Sequence, residues 1–192
     1  MKILVFDTEA TARDGQICQL AYLMIDGETI SGKNMFFAVD SMSADAQQVH
    51  GLSPETLRTL SGGQKFADRA TEILADFADA DLLVGHNISA DVRMMQLEFS
   101  RLQMPWPETP TFCTMNRFTP ILKLKRLRGP GSPKPPKLGE LCDFYGITPD
   151  SIAAFCATHF THSGSAHDAR YDAAATYLSL RAATEKGDAT IE

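Results

Sequence analysis

No stretch of this chain approaches the run of about 18 apolar residues that a membrane-spanning helix needs, so no membrane partner is expected. The beginning carries no leader-like run either. Lys2 is followed by Ile3-Leu4-Val5-Phe6 and then by Asp7, too short an apolar segment for a signal peptide. A cytoplasmic location is the expectation. Paired cysteines are also missing. Cys18, Cys113, Cys142 and Cys156 form no C-x-x-C spacing, which points to reduced and mostly buried thiols. Cys156, His159 and His162 offer three zinc donors with no fourth nearby, which falls short of a structural zinc site. There is no internal repeat and no linker between two cores. One domain spanning 1–192, with its core at about 2–184, is expected for 192 residues.

One further absence is local. No Asp or Glu lies between Glu108 and Glu140, whereas Arg117, Lys123, Lys125, Arg126, Arg128, Lys134 and Lys137 do. The formal net charge of −6 therefore hides a basic stripe that could track phosphates. The same stripe also reads as a solvated loop, since Gly129-Pro130-Gly131-Ser132-Pro133 bars regular structure.

What is present has α/β character. Lys2–Phe6 reads as a buried strand, Ile17–Ile25 as a second, and Asp26-Gly27-Glu28 as a hairpin turn into a third over Ile30–Val39. Ser53 and Pro54 are an N-cap and first helical residue. Helices are expected over Gln64–Phe77, Ser89–Gln103, Lys137–Tyr145 and Ala166–Ala183, and short strands over Leu82–Val84 and Thr111–Thr114. Hairpin-linked strands followed by strands alternating with helices predict a mixed sheet flanked by helices.

Three acidic clusters stand out. Asp7 and Glu9 are two apart at the expected end of the first strand, where residues at i and i+2 share a face. Asp91 falls in the first turn of the Ser89 helix, a position that the helix dipole favours for an acid in any protein. Asp172 lies five residues after His167. That spacing does not stack the two on one helix, so His167 is expected on the preceding loop or first turn, leaning over the acids as a general base. Each cluster alone reads equally as ordinary surface charge. Together, four carboxylates and an imidazole suit hard cations, Mg²⁺ or Mn²⁺ rather than zinc. Two such cations can activate water and stabilise a leaving 3′ oxygen.

The segments Phe6-Asp7-Thr8-Glu9, His86-Asn87-Ile88-Ser89-Ala90-Asp91 and His167-Asp168-Ala169-Arg170-Tyr171-Asp172, in this order, resemble the three motifs of the DEDDh 3′-to-5′ exonucleases, and His50-Gly51-Leu52-Ser53 resembles the segment between their first and second motifs. The family includes bacterial polymerase proofreading subunits, exonuclease X, RNase T and oligoribonuclease. The resemblance implies an RNase H-like mixed five-stranded sheet, Asp7, Glu9, Asp91 and Asp172 as ligands of two divalent cations, and His167 as general base. Asp168 stands where the sister DEDDy group has its tyrosine, so the histidine version applies. Thr8, Leu52 and Asn87 are implied as contacts of the terminal nucleotide. Thr11-Ala12 departs from the family's usual Thr-Gly, which bears on nucleotide contact and not on the cations. From the stripe, Lys123, Lys125, Arg126 and Arg128 are candidate phosphate contacts.

The expected activity is metal-dependent release of 5′-monophosphates from single-stranded 3′ ends, with DNA favoured and a DNA polymerase a possible partner. The alternatives are an RNA-directed exoribonuclease, an RNase H-like endonuclease or integrase, and a non-catalytic polymerase-associated module of the same fold.

Overall fold

The computed structural model describes residues 1–125, 131–160 and 165–190. Five strands, β1 (Lys2–Ala10), β2 (Ile17–Asp26), β3 (Thr29–Phe36), β4 (Leu82–Gly85) and β5 (Thr111–Cys113), form one mixed sheet in the order β3-β2-β1-β4-β5. β1–β2 and β2–β3 are antiparallel; β1–β4 and β4–β5 are parallel. The fold class is as expected. The Asp26↔Thr29 pair closes the hairpin around Gly27, whose φ of 58° lies in the left-handed region that glycine enters without cost.

Helices cover both faces. α3 (Phe66–Ala78) and α4 (Ser89–Arg101) bury Phe66, Ile73, Phe77, Met95 and Phe99 against Leu4, Phe6, Leu20 and Tyr22. The Phe77 ring stands edge-on to Phe6 and Tyr22. On the other face α6 (Leu138–Tyr145), α7 (Pro149–Phe160) and α8 (Ala169–Glu185) bury Leu141, Ile152, Cys156 and an alanine-rich stripe of α8 against Val5, Ala21, Leu23 and Val84. Small residues on α8 let its backbone approach the central strand. α2 (Pro54–Ser61) begins at the expected Ser53 cap, whose hydroxyl accepts from the Thr56 N–H. Among the described residues no helix is long and apolar enough to cross a membrane.

Some boundaries differ from expectation, and each difference has a cause. β1 runs to Ala10 instead of stopping at Phe6, because β2 keeps pairing with it as far as Ile17. β3 ends at Phe36, three residues before Val39. Asp168 caps α8 by accepting from the Arg170 N–H, so that helix begins at Ala169 rather than Ala166. Thr114 opens a helix, α5 (Thr114–Leu122), instead of ending β5. α5 was hidden by Pro120, tolerated in its last turn, and α1 (Ala44–His50) by having no buried residue and hence no apolar stripe. For α7 the signal was there: Pro149 at its start, then Ile152, Cys156 and Phe160 at a four-residue spacing. Cys156 donates its thiol proton to the Arg170 carbonyl, and His159 stacks on Phe155. Together with His162, which lies outside the described residues, they had been the zinc candidates.

Where α7 crosses β3, a Cβ built on Gly32 would fall 2.4 Å from the His159 carbonyl oxygen. Gly32→Ala should therefore lower stability by about 1–3 kcal/mol, the usual cost of overpacking. Gly139→Ala, on α6 with open space around it, should leave stability level or raise it by up to about 1 kcal/mol. Urea denaturation of the two variants checks the contrast, and equal effects would remove the close approach as the cause.

Candidate active site

The site follows from how β1 is paired. β4 accompanies it only from Ile3 to Val5 and ends at Gly85, where the chain turns into α4. Beyond Val5, β1 is held by β2 alone, and its other edge is open over Asp7, Thr8 and Glu9. Strand alternation then sorts the side chains. Asp7 and Glu9 share the face of Val5, under α8; Thr8 shares the face of Phe6, toward α4. Thr8 meets Asp91 there: its backbone N–H and its hydroxyl both donate to Asp91 Oδ1, at 3.0 and 2.7 Å. The first turn of α4 is thus fastened to the same strand that carries the first two acids.

The third corner is fastened from β2. Gln19, fully buried and paired with Glu9 in the sheet, donates through Nε2 to Asp168 Oδ1 at 3.0 Å and accepts from the Ala169 N–H at 3.3 Å. Arg170 grips Asp168 as well, at 2.9 and 2.6 Å. These bonds fix the start of α8, and with it Asp172 one turn later. His167 precedes the helix at a left-handed φ of 66°, and its backbone N–H donates to Asp172 Oδ2 at 3.1 Å. Its position on the loop matches expectation. Sequence reasoning missed Gln19; a lone glutamine within an apolar strand was the available signal.

A ring nitrogen of His167 and carboxylate oxygens of Glu9 and Asp172 lie within 4.8 Å of one another. Asp91 is buried and Asp7 half-buried in the same cleft. Burial, then repulsion by the neighbouring acids, pushes Asp7 well above the ordinary carboxylate range. The same causes lift Glu9 to about 8. Burial lifts Asp91 to about 7 against the Thr8 hydrogen bonds, and Asp172 to about 6 against the His167 N–H. Like charges about 4 Å apart cost roughly 4 kcal/mol at an effective dielectric of about 20. A neutral hydrogen bond returns about 1 kcal/mol. Hydrogen bonds alone therefore cannot keep all four acids ionised. Among the described residues none of the four is paired with Lys or Arg. An oxygen-rich donor set without a protein counter-charge fits hard divalent cations.

These acids floor a cleft of about 650 Å³ whose wall includes Thr8, His86, Asn87, Lys137, Leu138 and Tyr171. The structure brings Asp7, Glu9, Asp91, Asp172, His167, Thr8 and Asn87 together. Thr8 turns out to hold Asp91. Asn87 sits exposed at a left-handed φ of 65° on the β4–α4 turn. Leu52 does not line this cleft; it packs with Cys18, Val39 and Leu57 and borders a neighbouring groove, its N–H donating to His50 Nδ1 at 3.1 Å. The basic stripe divides. Lys123 and Lys125 are exposed and absent from the cleft wall, while Arg126 and Arg128 lie outside the described residues. Lys134 is spent on Glu140. Among the described residues of the stripe, Lys137, not one of the candidate phosphate contacts, faces the cleft.

The sequence pattern of the family described as RNase T, exonuclease, matches residues 4–180. The DNA polymerase III epsilon subunit of Salmonella typhimurium strain LT2 is 30% identical over 155 residues, covering 75% of this chain and 60% of that protein. The Escherichia coli K12 epsilon subunit is 29% identical over the same shares. The chain thus spans about 60% of the length of these relatives. A solved structure of exonuclease X in complex with 5′-overhanging duplex DNA superposes with a TM-score of 0.59 over 96% of this chain and 93% of that one, at 15% identity, a likeness of fold.

Two outcomes are expected. A carboxyl whose pKa is raised by folding costs no stability below its unfolded value, near about 4, and its full cost above its folded value. Cation-free protein should therefore lose thermal stability as pH climbs from that range through about 6, 7 and 8, the values of Asp172, Asp91 and Glu9. Mg²⁺ or Mn²⁺ should restore it, with a Tm gain that grows with pH. Scanning calorimetry at pH 5 and pH 9 with and without cation reads this directly, and a gain larger at pH 5 would contradict it. Gln19→Leu should leave the sheet folded but loosen the start of α8, so that this Tm gain shrinks.

Proposed function

This chain belongs to the exonuclease family, and we propose that it is a 3′-to-5′ exonuclease releasing 5′-monophosphates from single-stranded nucleic-acid ends, DNA in preference to RNA. The observation that carries this is the convergence of Asp7, Glu9, Asp91, Asp172 and the His167 ring at one end of the sheet, in a cleft open to solvent. The preference for DNA is supported by relatives that are DNA polymerase subunits. A polymerase partner is proposed on the same ground, and residues 1–192 are proposed to act as one exonuclease domain.

Asp7, Glu9, Asp91 and Asp172 would hold two divalent cations, Mg²⁺ or Mn²⁺, which supply Lewis-acid activation of the attacking water and of the leaving 3′ oxygen. Thr8 keeps Asp91 turned toward β1 through two hydrogen bonds. His167 stands on a loop whose conformation is fixed by Asp172, with its ring beside Glu9 and Asp172. There it takes a proton from water as the water oxygen bonds to phosphorus. The P–O3′ bond breaks and the leaving 3′ oxygen takes a proton from solvent, giving a 5′-monophosphate and a strand one nucleotide shorter with a free 3′-hydroxyl. Asn87 and Thr8 line the cleft where the terminal nucleotide would sit. Leu52 lines a separate groove with Phe36 and Arg170.

Digestion of matched DNA and RNA oligomers, labelled at either end, tests the reading. Chelator should abolish turnover, and Mg²⁺ or Mn²⁺ should restore it. Asp7→Asn and Asp172→Asn should be inactive. His167→Ala should lose roughly 10²–10⁴-fold, the usual size of a lost general base, while keeping the cation-induced rise in Tm. Products ending in 3′-phosphate, or attack from the 5′ end, would overturn the proposal, as would cleavage of circular single strands.

A further inference from the structure

The cleft that presents Asp7, Glu9, Asp91, Asp143 and Asp172 to a polyanionic strand contains one Lys or Arg among its described lining residues, Lys137. Its neighbour Lys134 is otherwise engaged. Lys134 Nζ lies 2.7 Å from Glu140 Oε2 and closer still to Oε1. The Lys137 backbone N–H also donates to Glu140, at 2.8 Å, but its ammonium makes no ion pair among the described residues. Glu140 thus pairs directly with the Lys134 ammonium and attracts the Lys137 ammonium only from a longer range.

Lys137 is also held in place. The segment before it is clipped to the sheet by His86, whose Nε2 lies 3.0 Å from the Pro136 carbonyl oxygen and whose Nδ1 lies 3.0 Å from Thr114 Oγ1. A carbonyl only accepts, so Nε2 carries the ring proton. Burial disfavours the charged ring, and the neutral Nδ1 then shares the Thr114 hydroxyl proton with the Gly85 carbonyl oxygen, 3.3 Å from that hydroxyl. The imidazole therefore bridges the C-terminal end of the sheet to the start of α6. Pro136 is buried and cannot swing out, while Lys137 next to it is exposed to the cleft.

The two ends of the cleft differ. Glu9 also borders a second hollow lined by Arg13 and His50, whereas Lys137 and Leu138 at the start of α6 and Tyr171 of α8 line the cleft itself. A strand whose reacting phosphate rests on the acids must send its terminal nucleotide one way and its body the other. We propose that Lys137, held by the His86–Pro136 clip, binds the phosphate upstream of the one being cleaved and so sets the preference of this site for a strand over a single nucleotide ester. The proposal rests on the exonuclease reading above and adds a specificity-determining residue to it.

The test compares an oligothymidylate, which has an upstream phosphate, with the 4-nitrophenyl ester of thymidine 5′-monophosphate, which has none. Lys137→Gln should lower the ratio of kcat/KM for oligomer over ester by about three- to tenfold, mainly through KM, the range expected of one partly exposed phosphate contact. Lys137→Arg should recover it. Fluorescence anisotropy with an oligomer whose terminal linkage is uncleavable gives a readout apart from turnover: the slope of log affinity against log salt should fall by about 0.7, one single-strand phosphate. Loss of oligomer and ester turnover in equal proportion, or an unchanged salt slope, would overturn the assignment. Wild-type protein inert on both substrates would instead overturn the exonuclease reading, and the anisotropy slope would still decide the role of Lys137.

Discussion

Mutual repulsion among Asp7, Glu9, Asp91 and Asp172 is the constraint around which this end of the molecule is built. Partial burial makes the repulsion expensive, since the protein on one side of the acids screens charge less well than water does. A protein selected for stability alone would relieve it with a lysine or arginine, or would move the acids apart. Here Arg170, in the first turn of α8, is turned onto Asp168 instead. The acids are left to share protons or to share cations, and the cost is carried by the two apolar layers that clamp the sheet from either side.

Apart from the Arg170–Asp168 ion pair, three of the restraints on the site are neutral hydrogen-bonding groups. Thr8 holds Asp91, Gln19 holds the cap of α8, and His86 holds the segment that leads into α6. Each joins the sheet to a different element, and none brings a permanent positive charge near the acids. Geometry is therefore fixed without quenching the field that would attract divalent cations. Buried glutamine and threonine are suited to this, because their dipoles are satisfied within the protein and cost little when fully bonded.

Membership of the exonuclease family coexists with 15% identity to exonuclease X over nearly the whole chain. Most positions in such a fold need only be apolar and of about the right size. The demanding positions are few, and they sit where β4 stops and β1 goes on. Sheet topology explains that location: at the open edge, side chains from β1, the β4–α4 turn and the start of α8 reach a common point with no strand in between.

The sequence by itself determined the α/β class, the hairpin at Gly27 and the Ser53 cap, and it singled out the four acids and His167 that the fold gathers in one cleft, because these depend on periodicity, turn chemistry and motifs that are local in the chain. It could not show α1, which buries nothing, or α5, which contains Pro120. Neither could it tell which lysine of the basic stripe faces the acids. That choice fell to tertiary structure: Glu140 captures Lys134 while the His86–Pro136 clip turns Lys137 into the cleft. The role of Thr8 was settled in the same way, by an aspartate 83 residues further along the chain. Local sequence specifies which groups are available, but a hydrogen bond spanning that separation exists only after the sheet has brought β1 and α4 side by side.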